Sequence, residues 1–377
     1  MTTLAPAAGC DCQSCPFYRH NPGAVEPICS GCNTSCAYCG CARGAATAAG
    51  DAPCAQCPIR CGSRVDIAAW MRDVGGTLTF DDLHVDTGLP AGLPRFIPQV
   101  DGHDLARFDA GLAWPAYAVG LRRVFSPTSH RLVPKFAGAR AREALGLADG
   151  QLAVLVGYGE DPLVEAFWTR RHELIGQLAA QDWDLVLACN YSLYGNQPRA
   201  EHLLNFRRNL LLAQELADAG VPAVANLYWF RQEDLDRYAA WLTDTQPAAV
   251  AINLQTFRAE REWEHMALPG LVYLALLLPA DTTLVACGAS RQARIRQLHA
   301  LFGDRLHLVS QNPQQYARHG AVMTATGRVD AHAHEHDAFA ASVRFYAGLL
   351  DRPAPAWRID GDRLVVDEHD PEEATRG

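Results

Sequence analysis

Ala223-Val-Ala-Asn-Leu-Tyr228, Glu233-Asp-Leu-Asp-Arg-Tyr-Ala-Ala-Trp-Leu-Thr243 and Ala249-Val-Ala-Ile-Asn-Leu254 follow one another along the chain, and their order decides the fold. The first and third are short, uncharged apolar runs. The second is a helix-length amphipathic stretch. Uncharged runs of this length suit strands buried on both faces, and strand–helix–strand order implies parallel pairing through right-handed crossovers.

The same unit recurs on both sides. Strands are expected at Arg95–Val100, Tyr117–Phe125, Leu152–Gly157, Asp184–Cys189, Ala223–Tyr228, Ala249–Leu254, Thr282–Cys287 and Leu306–Ser310. Helices read most clearly at Pro162–Ala180, Arg199–Ala219, Glu233–Thr243, Arg291–Phe302 and His336–Leu350. Eight such runs fit a (β/α)8 TIM-like barrel over residues 93–351, with a doubly wound α/β sheet as the other arrangement of the same units. Before the barrel, residues 66–92 read as a connecting helix (Asp66–Asp73), stopped by Gly75-Gly76, and a short strand (Thr77–Phe80). After it, residues 352–377 read as a hairpin turning at Asp360-Gly361, followed by a disordered acidic tail.

Residues 1–65 have a different texture. They hold Cys10, Cys12, Cys15, Cys29, Cys32, Cys36, Cys39, Cys41, Cys54, Cys57 and Cys61, eleven of the thirteen cysteines. Thiolates two or three residues apart on tight turns converge on a metal, and no hydrophobic core needs that spacing. Disulfides would need an oxidising compartment, whereas the first residues carry neither a basic nor an apolar leader region, so a cytoplasmic location is expected. All eleven are therefore candidate metal ligands in a cysteine-rich module preceding the barrel. Zinc would favour well-separated C-x2-C pairs, often completed by histidine. The dense C-x2-C-x3-C-x2-C run and the C-x2-C-x3-C triplet point instead to iron–sulfur ligation, with enough thiolates for two 4Fe-4S clusters. Zinc is the alternative metal. His332, His334 and His336 form a second, weaker metal candidate that more simply reads as a solvated loop.

The net charge of −9 argues against a surface built for general nucleic-acid affinity, and the longest apolar run, Leu271 to Pro279, is too short for a membrane span. No Walker loop, G-x-S-x-G or dinucleotide fingerprint stands at a strand–helix junction, which sets aside the NTPase, hydrolase and Rossmann classes. In a barrel the functional face is the rim at the strands' C-terminal ends. Polar and aromatic groups recur there, and Asn190, Tyr194, Asn226, Asn253, Gln255 and Arg258 are the candidate substrate-contacting and catalytic residues. Amides and aromatics in that pattern suit a polar, ring-containing ligand such as a nucleoside. Cys189 and Cys287, at the ends of buried strands, read as packing residues.

Two family resemblances extend this reading. Cys32-Asn-Thr-Ser-Cys36-Ala-Tyr-Cys39 resembles the signature of the radical S-adenosylmethionine enzymes, C-x3-C-x2-C with an aromatic before the last cysteine. The resemblance implies that Cys32, Cys36 and Cys39 leave one iron of a cluster open to S-adenosylmethionine, on a protein whose core is a β/α barrel. In this chain Cys29 and Cys41 flank the motif, no strand precedes it, and Thr77 stands where that family has an acidic residue after its glycine pair. Second, the region from Asp184 to Gly288, with Asn190-Tyr-Ser-Leu-Tyr194, Ala223-Val-Ala-Asn226 and Val250-Ala-Ile-Asn253, is similar to an uncharacterised bacterial family found on phages and mobile elements. It implies a nucleic-acid or defence context and no particular activity.

Three functions are consistent with these observations. One is an enzyme using the clusters, with an electron donor, for redox or radical chemistry on a small-molecule or nucleic-acid substrate. Another is a mobile-element protein that binds or processes nucleic acid, with a purely structural metal module. The third is a regulatory module sensing redox state. No membrane partner is expected.

Overall fold

The computed structural model describes residues 67–101, 105–109, 111–193, 199–361 and 363–367. The eleven cysteines from Cys10 to Cys61, and Tyr194, lie outside the described residues.

Eight parallel strands form the core: β1 (Phe96–Pro98), β2 (Ala116–Gly120), β3 (Leu152–Val156), β4 (Leu185–Leu187), β5 (Ala223–Leu227), β6 (Ala249–Asn253), β7 (Thr283–Cys287) and β8 (Leu306–Ser310). Their order, β1-β8-β7-β6-β5-β4-β3-β2, returns to its start. A parallel bridge between Gln99 and Ala118 joins β1 to β2, and the Val100 amide donates to the Ala118 carbonyl at 2.8 Å. The sheet is thus a (β/α)8 TIM-like barrel and not an open doubly wound sheet. Alternation along each strand divides the residues. Ile97, Ala118, Val154, Leu187, Val224, Ala251, Val285 and Val309 pack together inside the barrel. Their neighbours Phe96, Val119, Leu155, Val186, Leu227, Ile252, Leu284 and Leu308 join the layer beneath the helices. Burial on both faces explains why these strands carry no charge.

Around the barrel lie α1 (Ile67–Asp73), α2 (Leu105–Asp109), α3 (Leu121–Val124), α4 (Ala141–Leu145), α5 (Asp161–Ala179), α6 (Arg199–Asp218), α7 (Glu233–Thr245), α8 (Leu268–Leu277), α9 (Gln292–Phe302), α10 (Asn312–Ala317) and α11 (Glu335–Leu350). The strand expected at Tyr117–Phe125 stops at Gly120, and Leu121-Arg-Arg-Val124 coils into α3, burying Leu121 and Val124 on one helical side. A hairpin absent from the sequence reading, β9 (Ala321–Thr324) with β10 (Gly327–Asp330), packs against α11, while β11 (Trp357–Asp360) and β12 (Arg363–Val366) form the terminal hairpin. Before α8 the helix passes through a π turn at Trp263–Ala267. Pro269 supplies no amide hydrogen and its ring crowds the preceding turn, which accounts for the widened coil.

Residues 67–93 form a strap outside the barrel. Gly75 and Gly76, both at positive φ, close α1. The expected strand Thr77–Phe80 is an irregular segment. Its carbonyls go to arginine side chains instead of a neighbouring strand: Leu78 O accepts from Arg237 at 2.8 Å and Thr79 O from Arg207. Arg207 is about 1 % exposed and also holds Asp82 through two bonds of 2.7 Å. Arg171 binds Asp73 at 2.9 Å and Glu215 at 2.8 Å. Arg208, fully buried, pairs with Glu165 at 2.7 Å and lies over the rings of Tyr191, Trp168 and Trp70. These contacts also orient the strap. Trp70 stacks on Trp168, and Asp73 accepts from both Trp168 Nε1 at 2.7 Å and Arg171 at 2.9 Å.

Candidate functional site at the barrel mouth

The strands' C-terminal ends enclose a cavity of about 1390 Å³. Three sectors line it, each fixed by different elements.

The first sector follows β3, β4 and β5. Tyr158, buried, donates its hydroxyl to Asn226 Oδ1 at 2.7 Å, and Asn226 Nδ2 donates to Asn190 Oδ1 at 2.9 Å. Burial, with Cys287 alongside, holds the Tyr158 phenol well above its usual titration range, so it remains a donor at neutral pH. Donation runs one way along this chain and leaves the Asn190 amide nitrogen for the cavity that Asn190 lines. Gly157 is required beside it, because a Cβ there would stand 2.5 Å from the Leu187 carbonyl.

The second sector follows β8, β1 and β2 and centres on Asp101. Its Oδ1 accepts from the Gly120 amide at 2.7 Å, its Oδ2 from Gln311 Nε2 at 2.6 Å, and the buried Gln99 Nε2 lies 3.2 to 3.3 Å from both oxygens. A Cβ at Gly120 would meet Asp101 Oδ1 at 3.0 Å, so glycine permits this approach. Neutral donors therefore orient a carboxylate at the mouth, a suitable acceptor for a ligand hydroxyl or amino group.

The third sector, after β5 and β6, is aromatic. Tyr228, Trp229 and Phe257 pack with ring centroids 6.0 to 6.3 Å apart. The Tyr228 hydroxyl bonds Thr256 at 2.8 Å and Trp229 Nε1 donates to the Met266 carbonyl in the π turn at 3.2 Å. Gly270 makes room for the indole, since a Cβ there would lie 2.2 Å from Trp229 Nε1. Asn253 sits at the foot of this wall. Its Oδ1 accepts from the Gln255 amide at 3.0 Å while its amide nitrogen has no hydrogen-bond partner among the described residues.

Arg122, Arg123, Lys135, Arg258 and Arg318 line the mouth, with Asp101, Glu160, Asp161 and Glu262. Arg122 is engaged by Glu160 at 2.8 Å, and Ser192 donates to Asp161 at 2.8 Å.

Of the residues expected at the rim, Asn190, Asn253, Gln255 and Arg258 line this cavity together. Asn226 is fully buried, not among the cavity-lining residues, and links Tyr158 to Asn190. Tyr194 is outside the described residues. Sequence reasoning missed Asp101 and Tyr158. The available signal was Gln99-x-Asp101 directly after β1, and Tyr158 inside the strand-end loop Gly157-Tyr-Gly-Glu-Asp161. Burial pushes the Cys189 thiol up to about 12 and raises Cys287 further, which fits packing groups and not nucleophiles. His332, His334 and His336 are exposed, and among the described residues no group of three metal-binding side chains converges. No described helix is long and apolar enough to cross a membrane.

No family model matches the sequence, and no curated protein does. Among solved structures, one described as "Native KDPGal structure" matches with 14% identity, covering 70% of this chain and 100% of that one, at a TM-score of 0.38. At that level of similarity nothing about the site transfers from it.

Proposed function

We propose that the protein is an iron–sulfur enzyme whose barrel mouth binds a polar, ring-bearing substrate of nucleoside type. The observation that carries the binding half is the one-way chain from Tyr158 through Asn226 to Asn190. It ends in the Asn190 amide, whose nitrogen has no protein partner among the described residues, in a residue that lines a large cavity with an aromatic wall. A free N–H donor held in place at a cavity suits a ligand acceptor, each such hydrogen bond contributing roughly 0.5–1.5 kcal/mol. Asn253 supplies a second such group, the Tyr228–Trp229–Phe257 wall a surface for a ring, and Asp101 an acceptor for hydroxyls.

The redox half is supported by donor chemistry. The thiolates at Cys10, Cys12, Cys15, Cys29, Cys32, Cys36, Cys39, Cys41, Cys54, Cys57 and Cys61 suffice for two 4Fe-4S clusters, and Cys32, Cys36 and Cys39 resemble the set that presents an open iron to S-adenosylmethionine. Such a cluster would supply electrons for reductive cleavage, drawing on an external donor.

The test is iron and acid-labile sulfide analysis of protein purified without oxygen, followed by addition of S-adenosylmethionine and dithionite. The proposal expects about eight irons with matching sulfide for two four-iron clusters, a broad absorption near 400 nm, and cleavage of the cofactor. Cluster without cleavage would remove the radical mechanism. Zinc without sulfide would overturn the redox reading in favour of a structural module.

A further inference from the structure

Resting on the reading of the mouth as a ring-binding site, we infer that it also contains an anion subsite formed by Arg258 and Arg318, so that its ligand is a phosphate-bearing molecule of nucleotide class. The protein as a whole carries a net charge of −9, yet its mouth is lined by more cationic than acidic side chains. The mouth therefore lacks the acidic excess of the rest of the chain, which would repel an anionic ligand.

Within that lining the arginines differ. Arg122 is neutralised by Glu160. The Arg258 and Arg318 guanidinium groups have no hydrogen bond or ion pair among the described residues, although Glu262 stands one turn from Arg258. Glu262 instead accepts from the Ala259 amide at 3.1 Å. Arg258 follows the aromatic wall directly, next to Phe257, and Arg318 follows α10 beyond β8. Between them in barrel order, β7 ends in Gly288-Ala-Ser290, uncharged and small. A guanidinium fork binds phosphate oxygens in pairs, and Arg258 beside the ring-stacking wall with Arg318 lining the same cavity beyond β8 offers charge at one end of a stacked ring, as a nucleotide requires. The unpartnered amides of Asn190 and Asn253 in the same cavity mark the part between as polar.

The experiment is calorimetric titration of the full chain with pyrophosphate and, separately, with uncharged adenosine, at about 0.1 M salt. Saturable pyrophosphate binding is expected, with Arg258→Gln and Arg318→Gln each weakening it about tenfold, the scale of one charge-assisted contact. Arg352→Gln, an exposed arginine beyond α11, should leave it unchanged. Adenosine bound without pyrophosphate would overturn the anion subsite and leave the ring site standing. Pyrophosphate bound through the two arginines without adenosine would uphold the subsite and remove the ring reading. Pyrophosphate bound equally by both variants would overturn the assignment to these residues.

Discussion

The strap and the mouth both bury polar groups, and they treat them in opposite ways. Beneath the strap, Arg171, Arg207 and Arg208 each hold at least one carboxylate, and Arg207 adds the carbonyls of Val74 and Thr79. Around the mouth, Asn190 and Asn253 each engage one end of the amide and leave the other toward the cavity. Completed pairs hold one chain segment to another. The rim amides hold one internal partner each, and the end turned to the cavity is open to a ligand. The contrast predicts that strap substitutions act on stability and mouth substitutions on binding.

The largest effect belongs to the strap. Arg208→Ala strips the partner from Glu165 and opens space under Tyr191, Trp168 and Trp70, so a loss of about 3–5 kcal/mol is expected. The urea midpoint measures it, and a shift of only a few tenths would show the buried pair to be dispensable. Tyr158→Phe falls between the two regions. It removes the donor to buried Asn226 Oδ1, an expected cost of about 1–3 kcal/mol with weaker ligand binding, read from midpoint and titration together. Asn253→Ala should move stability by less than about 1 kcal/mol, because only the Gln255 amide loses an acceptor. Its effect should appear as about tenfold weaker binding in the same titration.

The smallest effect concerns pH. Burial lowers the imidazole pKa of His299 and His307 below the ordinary 6.5, and Arg95 acts in the same direction on both. The unfolded chain then takes up protons first. The stability these groups contribute is present above about pH 6.5 and is lost as pH falls toward their folded values. The urea midpoint should decline between pH 7.5 and pH 5.5, and His307→Gln should flatten the decline.

The barrel was legible because its strands are short, uncharged and punctuated by amphipathic helices, a pattern that burial on both faces demands. Where the apolar run continued past a strand's end, as from Gly120 into Leu121–Val124, period alone gave no boundary. The strap was misread at Thr77–Phe80 because its backbone partners are arginines 128 to 159 residues away. The rim amides were visible as a recurrence at strand ends, but their division of labour was not. Asn226 and Asn190 look alike in sequence, and only three-dimensional packing makes one an internal link and the other a cavity group. Asp101 was hidden for the same reason, since its donors come from Gly120 and Gln311.

The most direct test of the central claim is adenosine titration monitored by tryptophan fluorescence, in wild type and in Asn190→Ala/Asn253→Ala, with urea midpoints measured on both. The mouth reading predicts saturable quenching in wild type through Trp229, lost in the double variant while it stays folded, with a stability loss of about 1–3 kcal/mol from the acceptor that buried Asn226 loses. Absence of quenching in wild type, or equal binding by both proteins, would contradict it.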